Sequence, residues 1–269
     1  MIFRIIFFLL VYVPFMLIAI PVQAVLARFA LPGWTVIPRI FHRLGAAFLG
    51  MRVTVLGKPA RGKPTLIVSN HISWTDIVAV GSVADVTFVA KQEVGRWPFV
   101  GFMASLQRTL YVDRTRRSDA HRSSREMGQR MAAGGPVLLF AEGQSDVGTH
   151  VLPFRSALVG AAQHAMVEAG AGEVLLQPLT IAYTRLQGLP VSRTDRSLIA
   201  WIRSKSVKEN LLEILTGGMK DVTLAFGTPH VLTAASNRKV ITKQAEDEVR
   251  RRLVALNRGL PLPEFETRA

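Results

Sequence analysis

His71 and Asp76 stand five residues apart at the end of an apolar run, Leu66-Ile-Val-Ser-Asn-His-Ile-Ser-Trp-Thr-Asp76. An imidazole can take up a proton near neutral pH. A carboxylate on its other nitrogen fixes the tautomer and stabilises the imidazolium that forms. Such a pair is a general base, able to draw the proton from a hydroxyl as that hydroxyl attacks a carbonyl. On a regular helix, residues five apart lie ~140° around the axis from each other, at ~100° per residue. The two side chains therefore meet only if His71 precedes the helix or sits in an irregular first turn. A strand end followed by a capped helix leaves the same pattern by chance, so the surrounding elements must decide.

The chain has 269 residues, 49% of them hydrophobic, with 33 Lys and Arg against 19 Asp and Glu. That is enough for one large α/β domain with an ample core. It contains no cysteine, which excludes disulfides, thiolate metal sites and cysteine acyl-enzymes. His42, His121, His150, His164 and His230 show no metal-ligand spacing, so no metal is expected. The net charge of +14 implies an anionic partner, such as a membrane surface or an acidic protein. No zinc-finger, RNP-type or basic-zipper pattern supports nucleic acid.

From Ile5 to Ala27 the chain is apolar, broken only by Tyr12, Pro14, Pro21 and Gln23. Twenty-three helical residues reach ~35 Å, enough to cross a ~30 Å hydrocarbon core. The two prolines weaken the case for a straight helix and leave a kinked or partly embedded hairpin also open. Val22-Gln23-Ala24 has the look of a signal-peptide cleavage site. Arg28, Arg39, Arg43 and Arg52 follow the segment, however, and only Arg4 precedes it. That asymmetry favours an uncleaved anchor, residues 1–35, holding a domain of residues 36–269 at the cytoplasmic face of the inner membrane. Ile37–Phe48 reads as an amphipathic helix, either packed on the core or lying in the membrane interface.

Beyond Arg52, strand and helix patterns alternate. Strands are expected at Arg52–Leu56, Thr65–Ser69, Val86–Ala90, Thr109–Val112, Pro136–Ala141, Val174–Ala182 and Val222–Phe226. Helices are expected at Thr75–Ser82, Trp97–Leu106, Ser118–Ala133, Ser156–Ala169, Val207–Leu215 and Val240–Asn257. The rhythm predicts a single α/β domain, its mostly parallel β-sheet flanked by helices and preceded by the membrane-embedded helical segment. Such sheets present catalytic groups at the carboxyl ends of their strands, where His71 would stand. The arginines from Arg114 to Arg130 form either a solvated face or a dock for lipid headgroups or an acidic carrier protein.

Four ordered blocks carry a family resemblance. Asn70-His71-x4-Asp76 resembles the first signature block of the glycerolipid acyltransferases, the family containing 1-acyl-glycerol-3-phosphate acyltransferases. Ala90–Gly101 with Thr109–Arg114 looks like the second block, and Phe140–Gly148 with Leu152–Arg155 like the third. Gln177–Tyr183 is similar to the fourth. The resemblance implies that His71 and Asp76 are the catalytic pair. It also implies that Asn70, Lys91, Arg114, Glu142, Gly143 and Arg155 belong to the substrate site. The implied reaction is direct transfer of an acyl group from acyl-CoA or an acyl carrier protein to a lysolipid hydroxyl, with no cofactor.

The third block departs from the family. Where it usually has Thr and Arg after Glu-Gly, this chain has Gln144 and Ser145. Neither supplies the planar fork with which arginine binds phosphate, although Arg155 stands near enough in sequence to compensate. Val151–Gly160 and Ile181–Pro190 resemble the lyso-ornithine lipid subset of the family. Two acceptors therefore stay open, lyso-ornithine lipid and 1-acyl-glycerol-3-phosphate. A membrane-attached lipid-binding protein that kept the fold and lost activity is the non-enzymatic alternative. Gly143-Gln-Ser-Asp-Val-Gly148 is a near miss for a serine-hydrolase elbow, lacking the second glycine and a following helix start.

Overall fold

A computed structural model describes residues 2–60, 62–112, 117–168, 170, 173–202 and 205–263. The long apolar helix α1 (Ile2–Phe29) opens the chain. A π-turn at Phe8–Tyr12 interrupts it just ahead of Pro14, where proline has no N–H and crowds the preceding turn. Helix α2 (Val36–Leu49) folds back along α1. Phe8 packs against Phe48 at 4.6 Å between ring centroids, Tyr12 lies 5.4 Å from Phe41, and Gln23 near the other end donates to the Trp34 carbonyl at 3.0 Å. Strands β1 (Met51–Leu56) and β2 (Thr65–Ser69) follow, then α3 (Thr75–Val83).

Next come β3 (Thr87–Lys91), α4 (Gln92–Gly95), α5 (Val100–Leu106) and β4 (Leu110–Val112). Helix α6 (Arg117–Ala132), β5 (Val137–Phe140) and α7 (Ser156–Glu168) lead to the long β6 (Glu173–Leu186). The chain closes with β7 (Leu189–Pro190), α8 (Arg193–Ile199), α9 (Val207–Thr216), β8 (Lys220–Phe226), β9 (His230–Thr233) and α10 (Arg238–Arg258).

The sheet order is β1-β8-β6-β2-β5-β3-β4. Strands β6, β2, β5, β3 and β4 run parallel; β8 and β1 are parallel to each other and antiparallel to β6. Alternation along the central strands divides the core between two faces. Leu66, Val68, Val137 and Leu139 pack under Met127, Met131, Val159, Val249 and Leu253. Ile67, Leu138 and Phe88 face Ala46, Leu49, Ala79 and Val80. Burial on both faces is why β2 and β5 read as unbroken apolar runs.

Two expectations needed revision, and one left open is decided. The helix expected at Trp97–Leu106 begins at Val100, since Pro98 cannot continue a helix started by α4. Strand β6 outruns its expected end because β8 and β7 pair with it beyond Ala182, out to Leu186. Helix α2 is tied to the core: Arg39 pairs with Asp85, and Arg43 Nε donates to the Ser82 carbonyl at 3.0 Å.

Candidate active site

Strand β2 delivers Asn70 and His71 to the carboxyl edge of the sheet, and the chain crosses to α3 through Ile72–Trp74. His71 thus precedes the helix, so the angular separation on a regular helix does not apply. Asp76 is fully buried in the first turn of α3. Its Oδ2 lies 2.9 Å from His71 Nδ1 and accepts the N–H groups of Ile72 at 2.6 Å and Ser73 at 3.0 Å. Its Oδ1 accepts the Tyr183 hydroxyl at 2.8 Å. Four donors converge on an acceptor-only group, and the helix N-terminus favours its charge. With Nδ1–H directed at Asp76, the His71 lone pair is on Nε2. The imidazole stacks on Phe140 at 4.0 Å and stays 16% exposed. Its Nε2 has no partner among the described residues.

Tyr183 had no role in the sequence reading, though it closes the fourth block. Its hydroxyl also meets Thr75 Oγ1 at 2.6 Å, and burial holds its ionisation well above the ordinary phenol range. The phenol is therefore a fixed donor that fastens Asp76 from the side away from His71. Only the parallel pairing of β6 with β2, invisible in local sequence, brings position 183 beneath α3.

Glu142 braces the same loop from β5. Its Oε2 accepts the His71 N–H and its Oε1 the Leu152 N–H, each at 2.7 Å. This carboxylate therefore shapes the backbone that carries the base. Burial pushes its carboxyl up to about 8 from the ordinary 4.5, against the pull of those two donors. Between those values the folded chain holds a proton that the unfolded chain has released, so stability falls as pH rises across the window. The melting temperature of the native chain is expected to drop more steeply from about pH 5 to about pH 8.5 than that of Glu142→Gln, which cannot titrate there. Parallel curves would mean that the two N–H groups keep the carboxylate ionised throughout.

The other expected site residues divide. Lys91 is exposed at the carboxyl end of β3, on the edge that carries His71. It lies two strands away, ~10 Å at ~4.8 Å per strand. Gly143 turns the chain with φ +73°, and its N–H returns to the Phe140 carbonyl at 3.1 Å. The Arg155 guanidinium is exposed, and its Nε donates to the Glu142 carbonyl at 3.2 Å. Asn70, expected among the substrate contacts, is buried, and its amide bonds the Ile181 N–H and carbonyl at 2.9 Å each. It clamps β2 to β6. Arg114 and Arg116 lie outside the described residues. Ser145, which stands where the family has arginine, donates its hydroxyl to the Trp201 carbonyl, while the Trp201 N–H bonds the Ile72 carbonyl at 3.0 Å.

A family model described as Acyltransferase matches residues 51–182, the span that carries every one of these groups except Trp201 and Tyr183. Among curated relatives, the lyso-ornithine lipid O-acyltransferase of Brucella abortus (strain 2308) is 42% identical over 85% of each chain. That of Rhizobium meliloti (strain 1021) is 35% identical over 90% of this chain and 83% of its own. The chain belongs to the acyltransferase family. Its fold is that of the 1-acyl-sn-glycerophosphate acyltransferase of Thermotoga maritima, with a TM-score of 0.60, 22% identity, and coverage of 94% of this chain and 97% of the other. This acyltransferase carries its apolar N-terminal helix against the domain at both ends. Arg4 Nη1 approaches the Leu215 carbonyl at 3.4 Å, and Gln23 Nε2 bonds the Leu106 carbonyl at 2.8 Å.

Proposed function

We propose that this acyltransferase moves a fatty acyl group from an acyl thioester, carried by an acyl carrier protein or by CoA, to the hydroxyl of a lysolipid. Lyso-ornithine lipid is the acceptor it fits best. His71 Nε2 takes the hydroxyl proton as the oxygen attacks the thioester carbonyl. The tetrahedral oxyanion collapses, the C–S bond breaks, and the thiolate receives the proton from His71. Asp76 keeps Nδ1 protonated and stabilises the imidazolium between the two transfers. The observation that supports this most directly is the fastened His71–Asp76 pair, with Nε2 unpartnered among the described residues and the imidazole partly exposed. Similarity to lyso-ornithine lipid enzymes over most of the chain and the serine at 145 favour that acceptor over 1-acyl-glycerol-3-phosphate. Thiol release from an acyl thioester, measured against a panel of lysolipids, tests the assignment; release independent of any lysolipid would overturn it.

The same reading places the protein at the cytoplasmic face of the inner membrane, with residues 1–35 as its anchor. Helices α1 and α2 form an antiparallel hairpin laid along the domain. The outer face exposes Phe3, Leu10, Leu17, Ile18, Val25 and Phe29. A helix held to the domain at Arg4 and Gln23 fits a hairpin lying in one leaflet better than a free-standing span. Removing residues 1–35 would uncover Phe41 and Phe48, which Phe8 and Tyr12 cover. The truncated chain is therefore expected to aggregate without detergent and to remain on anionic vesicles in high salt. Release by salt alone would mean that charge, screened within ~10 Å at ~0.1 M, holds it instead. Mass spectrometry of the mature chain checks retention of the segment, and a start at Val25 would overturn it.

A further inference from the structure

A cavity of about 340 Å³ opens at the edge of the sheet opposite His71. It lies where β3 and β5 begin, between Thr87 and Pro136, and its walls come from the amino end of α2, the end of α3 and the end of α6. Cavities of ~300–1,000 Å³ are the size of small-molecule sites, and the residues here carry an unbalanced charge. Arg39 is matched by Asp85, with Nε to Oδ1 at 2.9 Å. Arg108 and Arg130 have no carboxylate within salt-bridge distance among the described residues. Arg108 sits at φ +56° with its guanidinium over the Trp34 ring, 5.2 Å from the centroid. Burial and the nearby Arg108 charge both pull the Arg130 guanidinium down, with Glu126 opposing them. Two like charges are thus held together in one recess, an arrangement that costs stability unless an anion fills it.

The floor of the recess is His42. It is buried, its Nε2 lies 2.9 Å from Gln107 Oε1, and its Nδ1 has no partner among the described residues. Burial pulls its pKa down to about 4, so the site's charge comes from the arginines. A side chain at Gly81 would stand 2.3 Å from the imidazole, so glycine there is what lets the ring pack.

We propose that this recess, built by Trp34, Arg39, His42, Arg108 and Arg130, is a second, non-catalytic site for a phosphate-bearing anion. Its occupant in the membrane is the headgroup of an anionic phospholipid. The planar forks of Arg108 and Arg130 suit a phosphodiester. The amino end of α2, at Thr35 and Val36, adds a positive dipole end. Position selects the lipid over free phosphate. Trp34 and Pro38 border the cavity at the turn joining α1 to α2, beside the exposed Phe29, Leu31 and Val36. A headgroup there leaves its acyl chains along the apolar hairpin, and a tryptophan suits that interface. The inference rests on the membrane anchoring and not on the chemistry at His71.

The test uses the full chain in an uncharged detergent, titrated calorimetrically with dihexanoyl-phosphatidylglycerol, dihexanoyl-phosphatidylcholine and inorganic phosphate. Saturable binding of the phosphatidylglycerol is expected. In Arg108→Gln/Arg130→Gln it should be weaker by about tenfold or more, the scale of one lost charged hydrogen bond. Arg130→Gln alone should fall between. Without ligand, both variants should melt no lower than the native chain, because removing a cation relieves repulsion. Their thiol release in detergent should be unchanged. Equal binding of inorganic phosphate would overturn the lipid assignment. Equal phosphatidylglycerol affinity in native and double-variant chains would overturn the site itself, and melting below the native chain would show that the arginines serve the fold.

Discussion

Replacing His71 with alanine is expected to lower kcat by ~10³ or more, the scale of losing a positioned general base. The fold should survive. The imidazole is partly exposed and its main structural contact is the Phe140 ring, whereas the loop is held by main-chain bonds to Glu142 and Asp76. Asp76→Asn should cost on the order of 10²–10⁴ by turning the ring to the wrong tautomer, and it should also destabilise the chain. The amide would set an N–H₂ against one of the donors that meet the carboxylate, leaving a buried group unpaired at ~1–3 kcal/mol. Tyr183→Phe separates the two effects. It removes one donor from Asp76 and leaves the His71–Asp76 contact, so a modest loss in kcat with a small drop in melting temperature is expected. Thiol-release kinetics and thermal melts on the three variants check this. Near-native turnover in His71→Ala would sink the general-base mechanism.

The second large effect concerns the acceptor. The native chain is expected to use lyso-ornithine lipid at least as well as 1-acyl-glycerol-3-phosphate, because position 145 offers no fork for a phosphomonoester. A hydrogen bond to a charged group contributes ~1.5–3 kcal/mol, so its absence alone costs the phosphate acceptor ~10- to 150-fold. Ser145→Arg should move the kcat/KM ratio toward 1-acyl-glycerol-3-phosphate. The Ser145 hydroxyl tethers its loop to the Trp201 carbonyl, so Ser145→Ala is the matched control. It breaks the tether without adding a cation and should lower both activities together. On the rival view Lys91, Arg114 and Arg155 already hold a phosphate. A strong native preference for 1-acyl-glycerol-3-phosphate, lost in Arg155→Ala, would establish that instead.

The sequence by itself determined the elements and the chemistry they serve. The apolar runs of β2 and β5, the period of α3 and α10, and the loop carrying His71 and Asp76 are local patterns, and local sterics and burial suffice to set them. Four blocks in order were enough to name the family. What the tertiary structure decided depends on partners far apart in sequence. Tyr183 fastens Asp76 only because β6 runs beside β2. Asn70 was placed in the substrate site by its position in the first block, yet its amide bonds both the N–H and the carbonyl of Ile181, 111 residues away. Periodicity left the helix of Arg39 and Arg43 open between the core and the membrane interface, and only the structure shows that Asp85 and the Ser82 carbonyl hold these two arginines. The cavity at Arg108 and Arg130 draws on α2, α3, β3 and α6, and no stretch of sequence contains it. Periodicity records which face of an element is buried, whereas the identity of the group that meets a polar side chain is fixed by how distant elements pack.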